Sequence, residues 1–165
     1  MDFKHLSVMS EEVVKFLKCA PGNIYVDATL GSGGHTLKIL DAAKPDGRVI
    51  GIDWDEDAIN AAKENLKENL SPDRNLQGQA RVKIVRGNFA NIKTILEELG
   101  LTKVNGIVLD LGVSSYHLEK PERGFSFRFE SPLDMRMDRS KKRTACSLVN
   151  DLSLKELADI FWQYG

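Results

Sequence analysis

Acids and glycines recur in this sequence where apolar runs end. Asn23-Ile-Tyr-Val-Asp27 breaks into Ala28-Thr-Leu-Gly-Ser-Gly-Gly-His-Thr36, Arg48-Val-Ile-Gly-Ile closes on Asp53, and Val104-Asn-Gly-Ile-Val-Leu closes on Asp110. A carboxylate at the tip of a buried strand can accept hydrogen bonds from hydroxyls or amines. Glycines at positions 31, 33 and 34 let the backbone come close to a ligand, and a helix opening at about Thr36 would aim its free N–H groups at the same place. The chemistry on offer is the binding of a nucleotide-like ligand at a strand-to-helix turn.

The spacing narrows that ligand. A dinucleotide site asks for Gly-x-Gly-x-x-Gly, and counting from Gly31 the last position is Thr36. A triphosphate loop asks for a lysine, and Gly34 is followed by His35. Asp53 lies 22 residues after Gly31, near the distance at which an acid reaches ribose hydroxyls. S-adenosylmethionine fits these constraints, because its sulfonium carries no phosphates and its amino-acid end needs backbone groups and polar side chains.

Those residues need strands and helices to position them. The spacing predicts a short helix over 10–19 with Ser10 as N-cap, then strand one from Ile24 to about Leu30 and a helix to about Ala43, stopped by Pro45-Asp-Gly47. Strand two is Arg48 to Asp53, and one helix follows over Asp55 to Leu70. A surface loop covers Ser71 to Gln79, strand three Arg81 to Arg86, a helix Asn91 to Leu99, and strand four Val104 to Asp110. Four β-then-α units in succession predict an α/β fold, a parallel sheet with helices on both faces. The Gly31 loop, Asp53, Asn88-Phe89 and Asp110 then converge at the carboxyl ends of the strands, where such sheets bind ligands. Beyond Asp110 the pattern changes to a loop over Leu111 to His117 and an irregular segment to about Asp138. A capping box, Ser153 with Glu156, opens a last helix.

Bulk properties restrict the class. A chain of 165 residues, 42% hydrophobic, is sized for one domain with a real core. No apolar run reaches the length of a membrane span and the start lacks a secretory pattern, which points to a cytoplasmic protein without membrane partners. Cys19 and Cys146 stand far apart, so neither a disulfide framework nor a metal site is indicated. The net charge of −1 hides an asymmetry: Lys120 to Arg143 holds eight basic residues against four acids. That segment is a candidate phosphate-contacting surface, with Arg128, Arg136 and Lys141 to Arg143 as its cations.

His5-Leu-Ser-Val-Met9, Asp27 to His35, Gly51-Ile-Asp53, Asp110-Leu-Gly-Val-Ser-Ser115, Arg123-Gly-Phe-Ser-Phe127 and Pro132-Leu-Asp-Met-Arg-Met-Asp138 resemble, in this order, the MraW/RsmH family. The resemblance implies a Rossmann-like class I methyltransferase fold and S-adenosylmethionine-dependent methylation of N4 of a cytidine in small-subunit ribosomal RNA, free or in the assembled small subunit. It assigns Gly33, Gly34, His35, Asp53, Phe89 and Asp110 to the cofactor, with Phe89 on adenine and Asp53 on ribose. After Ser114-Ser115 the family has Pro-Gln where this chain has Tyr116-His117, so a cofactor contact from the glutamine amide would fall to His117. Members of the family run to about twice this length. By that likeness residues 1–112 are the first half of the cofactor domain, and 113–165 hold a loop region and the start of a helical substrate-recognition insertion. The open sheet edge left by the missing strands makes a second copy of the chain a candidate partner.

For the transfer itself, Asp110 is the leading acceptor of the amine proton, with Ser114 and Ser115 as secondary ones, while the resemblance gives Asp110 to the cofactor; both roles stay open. Two rivals stand beside this expectation: a nicotinamide- or flavin-dependent oxidoreductase, disfavoured by Thr36, and a truncated, catalytically incomplete fragment that binds cofactor or RNA without turnover.

Overall fold

The computed structural model describes residues 8–72 and 79–165. His5 to Ser7 of the first quoted motif, and most of the loop expected over 71–79, lie outside the described residues. The chain divides into two compact units, Met1–Leu111 and Gly112–Gly165.

The first unit is built on four parallel strands, β1 (Ile24–Asp27), β2 (Arg48–Asp53), β3 (Val82–Arg86) and β4 (Gly106–Val108), in the order β3-β2-β1-β4. The first three strands step outward in sequence, and the chain then returns to set β4 on the other side of β1. The direction of progress therefore reverses between β1 and β4, which is where sheets of this kind open a crevice at their carboxyl ends. Register puts Asp27 opposite Gly51 on one side and Val108 on the other.

Alternation along the strands sorts the core into two layers. Tyr25, Val49 and Val82 point to one face, where α1 (Ser10–Leu17), α2 (Gly34–Ala42), α3 (Glu56–Asn65) and α4 (Lys67–Leu70) supply Leu17, Ile39, Leu40, Ala62 and Leu70. Val26, Ile50 and Ile52 point to the other, covered by α5 (Ile92–Glu98) through Ile92, Ile95 and Leu96. Both faces are thus buried, as parallel strands require. The α/β arrangement with helices on both faces is the one expected.

Several boundaries differ from the expected ones. Ser10 is the first helical residue of α1 rather than its cap; the chain enters through Met9 in a left-handed conformation, whose carbonyl accepts from Val13 N–H at 2.9 Å. β1 stops at Asp27, three residues early, because the turn toward the glycines begins there, although Leu30 N–H still reaches the Ile52 carbonyl at 2.9 Å. The single helix expected over 55–70 is broken at Leu66, whose fully buried side chain packs beneath Gly33. β4 is shorter than Val104 to Asp110 because β1 offers it only Tyr25 to Asp27 as partners.

Arg81 holds the far end of α2. Its buried guanidinium donates at 2.6 Å to the carbonyl of Leu40, in the last turn of α2 where carbonyls lack helical partners, and at 3.1 Å to that of Gly47 in the turn beyond. Arg81→Met keeps the aliphatic stem and removes these donors. It is expected to lower unfolding stability by about 2–4 kcal/mol, read from urea transitions with an unchanged slope.

The second unit has a short helix α6 (Ser115–Glu119) where a loop was expected, then α7 (Ala145–Asp151), which periodicity had not marked, and α8 (Leu154–Tyr164). Each begins with a capping box, from Ser114 and His117, Thr144 and Ser147, and Ser153 and Glu156. Local caps let such short helices form. None of the described helices is long and apolar enough to cross a membrane.

Candidate active site

Asp27 ends β1 fully buried under the glycine loop. Its carboxylate accepts from the Thr36 hydroxyl at 2.8 Å and, more weakly, from Thr29 N–H at 3.4 Å. Burial pushes this carboxyl above its usual 3.8, against the opposing pull of the Thr36 hydroxyl and His35. The folded chain therefore holds the proton to a higher pH than the unfolded chain does. Stability contributed through Asp27 falls as pH rises from 3.8 through the raised value, and the cost is complete above it. Melting temperatures of the wild type and Asp27→Asn, compared from neutral to acid pH, should show the wild type gaining on the variant as pH falls; a constant difference would rule out the linkage.

The loop itself is held from three sides. Gly31 N–H donates to Asp53 Oδ2 at 2.8 Å, which ties the loop to the tip of β2. Asn65 Nδ2 donates to the Ser32 carbonyl at 3.0 Å from the end of α3. Gly33 caps α2 at φ +88, and a Cβ there would stand 2.9 Å from Leu66 Cδ1, so both its backbone angle and its packing call for glycine.

Asp53 is half-buried and its other oxygen accepts from Asp55 N–H at 3.0 Å. A carboxylate has about four lone-pair positions, so one on each oxygen remains for ligand hydroxyls. On the other side of β1, Asp110 N–H donates to the Thr29 hydroxyl at 2.8 Å, and Asp110 Oδ2 lies 3.5 Å from Nε2 of His35. His35 is buried in the first turn of α2, and its Nδ1 has no hydrogen-bond partner among the described residues. The Asp110 side chain is 54% exposed, so its carboxylate is held from below and open above. Phe89 lies past the end of β3 in a 3-10 turn, Phe89–Asn91, which Asn88 caps by accepting from Ala90 N–H at 2.8 Å. Phe89 is 37% exposed and so offers a surface on which a flat heterocycle could lie.

The first unit thus brings the glycine loop, His35, Asp53 and Asp110 into one bonded network at the carboxyl edge. Sequence reasoning missed Thr29, Thr36, Asn65 and Leu66 as its supports. Thr29 and Thr36 flank the glycines and could have been suspected as polar residues beside a buried acid. Asn65 and Leu66 give no local sign. A concavity of about 340 Å³ lies at the opposite edge of the sheet, among Ile24, Arg48, Arg81 and Val82, and contains none of these groups.

Within the second unit, Ser114 and His117 serve each other. Ser114 N–H donates to His117 Nδ1 at 3.1 Å, and the buried imidazole lies 5.0 Å from the ring of Phe125. Ser115 is the first residue of α6. Arg136, expected among the phosphate cations, is occupied. Its guanidinium grips Asp134 through two 2.7 Å bonds, and Nη1 donates to the Lys141 carbonyl at 2.6 Å. This pairing holds the Asp134 carboxyl below its usual value. Arg136 is a strut of the segment, and the surface cations are its neighbours.

A parallel sheet whose loops gather carboxylates and a glycine turn at the switch point defines a Rossmann-like α/β protein. Within that class, residues 2–165 match the model of the MraW methylase family, and the chain belongs to that family. It is 48% identical over 164 residues to ribosomal RNA small subunit methyltransferase H of Geotalea uraniireducens, covering 99% of this chain and 50% of the relative. It is likewise 48% identical over 165 residues to the protein of that name from Lachnospira eligens, covering 100% and 50%. The chain spans about half the length of the curated relatives it matches.

Proposed function

We propose that the chain binds S-adenosylmethionine at the carboxyl edge of its sheet and takes part in methylating N4 of a cytidine in small-subunit ribosomal RNA, free or in the assembled subunit, in the cytoplasm. The observation that carries this is the bond between Gly31 N–H and Asp53, which fixes a ribose-type acceptor against a glycine turn that lacks both the sixth glycine and the phosphate-binding lysine. The names of the relatives supply the RNA.

In this function Asp53 accepts from the ribose hydroxyls, Phe89 lies against the adenine, and Gly33, Gly34 and His35 border the methionine end. The cofactor, once bound, supplies a methyl group already activated on a sulfonium. The chain's remaining task is to orient the acceptor and take its proton, since an oriented pair gains most from proximity. The exocyclic amine of cytosine is a poor nucleophile, its lone pair being delocalised into the ring. Asp110 accepts the proton that becomes acidic as the nitrogen is alkylated, with Ser114 and Ser115 as further hydrogen-bonding groups. His117 is assigned to the position of the family glutamine, and its bond to Ser114 N–H lets it set that serine as well.

Titrating S-adenosylmethionine into the chain by calorimetry, then assaying tritiated methyl transfer to small ribosomal subunits, tests the proposal. Absence of cofactor binding, or binding of a nicotinamide dinucleotide in its place, would refute it. The half-length match favours one second reading, cofactor binding without turnover, and binding with no transfer would select it.

A further inference from the structure

Phe127 is fully exposed at 104% of its reference surface, more than its neighbours Phe129, Leu133 and Met135, at the tip of a loop whose base is held by hydrogen bonds. Arg123, on the same loop, is 2% exposed and donates to the carbonyls of Arg136 at 2.9 Å and Met137 at 3.3 Å. Met135 N–H returns a bond to the Arg123 carbonyl at 3.0 Å. Gly124, at φ +69, passes so close to the facing strand of the loop that a Cβ would stand 2.5 Å from the Pro132 carbonyl oxygen. Phe125 turns inward against His117, and the Arg136 guanidinium carries the same framework on to the Lys141 carbonyl. The ring of Phe127 thus stands out from a fastened loop base as an apolar face on which a flat partner can be buried.

We infer that Phe127 is a stacking platform for an unpaired base of the RNA substrate, with Arg128 and the turn bearing Arg139, Lys141, Lys142 and Arg143 contacting its phosphates. This rests on the RNA methyltransferase function proposed for the chain. Every nucleobase offers a flat π-face, and proteins that hold single strands set exposed aromatics beside cations. Arg128 adjoins Phe127 in sequence, and the cations of the turn are exposed and outside any ion pair among the described residues. The excess of positive charge over Lys120 to Arg143, on a chain of net charge −1, favours a polyanion over an apolar protein partner. A cytosine amine is hidden in a duplex, so the substrate must present unpaired bases near the target.

The test uses the 165-residue chain and a fluorescein-labelled, unstructured pyrimidine-rich oligoribonucleotide, read by anisotropy. Phe127→Ala is expected to weaken binding about tenfold. Phe127→Trp should keep the affinity and gain an indole emission that RNA quenches beyond any quenching seen in the wild type. Arg128→Gln should flatten the salt dependence by about one unit of slope. No RNA binding by the wild type, less than a twofold loss in Phe127→Ala, or an unquenched tryptophan would overturn the inference. So would self-association lost in Phe127→Ala with RNA affinity unchanged, which would mark a protein contact. Calorimetry with S-adenosylmethionine on the same samples separates the two proposals: failure there sinks the cofactor function, whereas normal cofactor binding with an indifferent Phe127 sinks only the platform.

Discussion

Asp110→Asn is expected to lower methyl transfer at saturating cofactor by about 10²–10⁴-fold, with the S-adenosylmethionine dissociation constant changed less than tenfold. The reason is geometric. The backbone of Asp110 is pinned by the Thr29 hydroxyl and its Oδ2 lies beside His35, while over half of the side chain faces solvent. Asparagine fits the same space and can still offer an oxygen to His35, so the fold and the loop should persist. It cannot take a proton from a nitrogen that is becoming cationic. A ligand role limited to the cofactor makes the opposite forecast, a weaker dissociation constant with turnover restored at saturation. Tritiated transfer and calorimetry on the same variant decide between the two roles that the sequence left open.

β2 was legible because burial on both faces writes a continuous apolar run, Val49 to Ile52, between the charged ends Arg48 and Asp53. The end of β1 was not, because Ala28 and Leu30 stay buried after the strand has turned, and apolar character reports burial rather than conformation. In the site, the acids were visible as strand tips. Their connections were not: the 22-residue spacing of Gly31 and Asp53 suggested proximity but could not show that the first donates to the second. Arg136 illustrates a different limit. Counting charge placed it among the phosphate cations, yet Asp134, two residues earlier across a tight turn at Met135 (φ +58), takes its guanidinium. A local sum of charge does not distinguish paired from available cations. His117 was read from its place in a motif, whereas in the folded unit its Nδ1 accepts from the backbone of the residue it caps.

Asp53→Ala carries the second large effect, and here the difficulty is to separate a ligand contact from a structural one. Removing the carboxylate deprives the ligand of its acceptor and also frees Gly31 N–H and Asp55 N–H, so the loop and the start of α3 loosen together. Charge-assisted hydrogen bonds contribute about 1.5–3 kcal/mol each, so S-adenosylmethionine affinity should fall by at least about 10- to 100-fold. Loop disorder alone would weaken every ligand of the site equally. A ribose contact would not. The discriminating measurement is a cycle between the variant and a cofactor analogue lacking the ribose hydroxyls. In the wild type the analogue should bind at least tenfold more weakly than the parent, and in Asp53→Ala the two should bind alike. If the variant still discriminates between them, the ribose is read by another group, and Asp53 serves only to hold the glycine turn against β2.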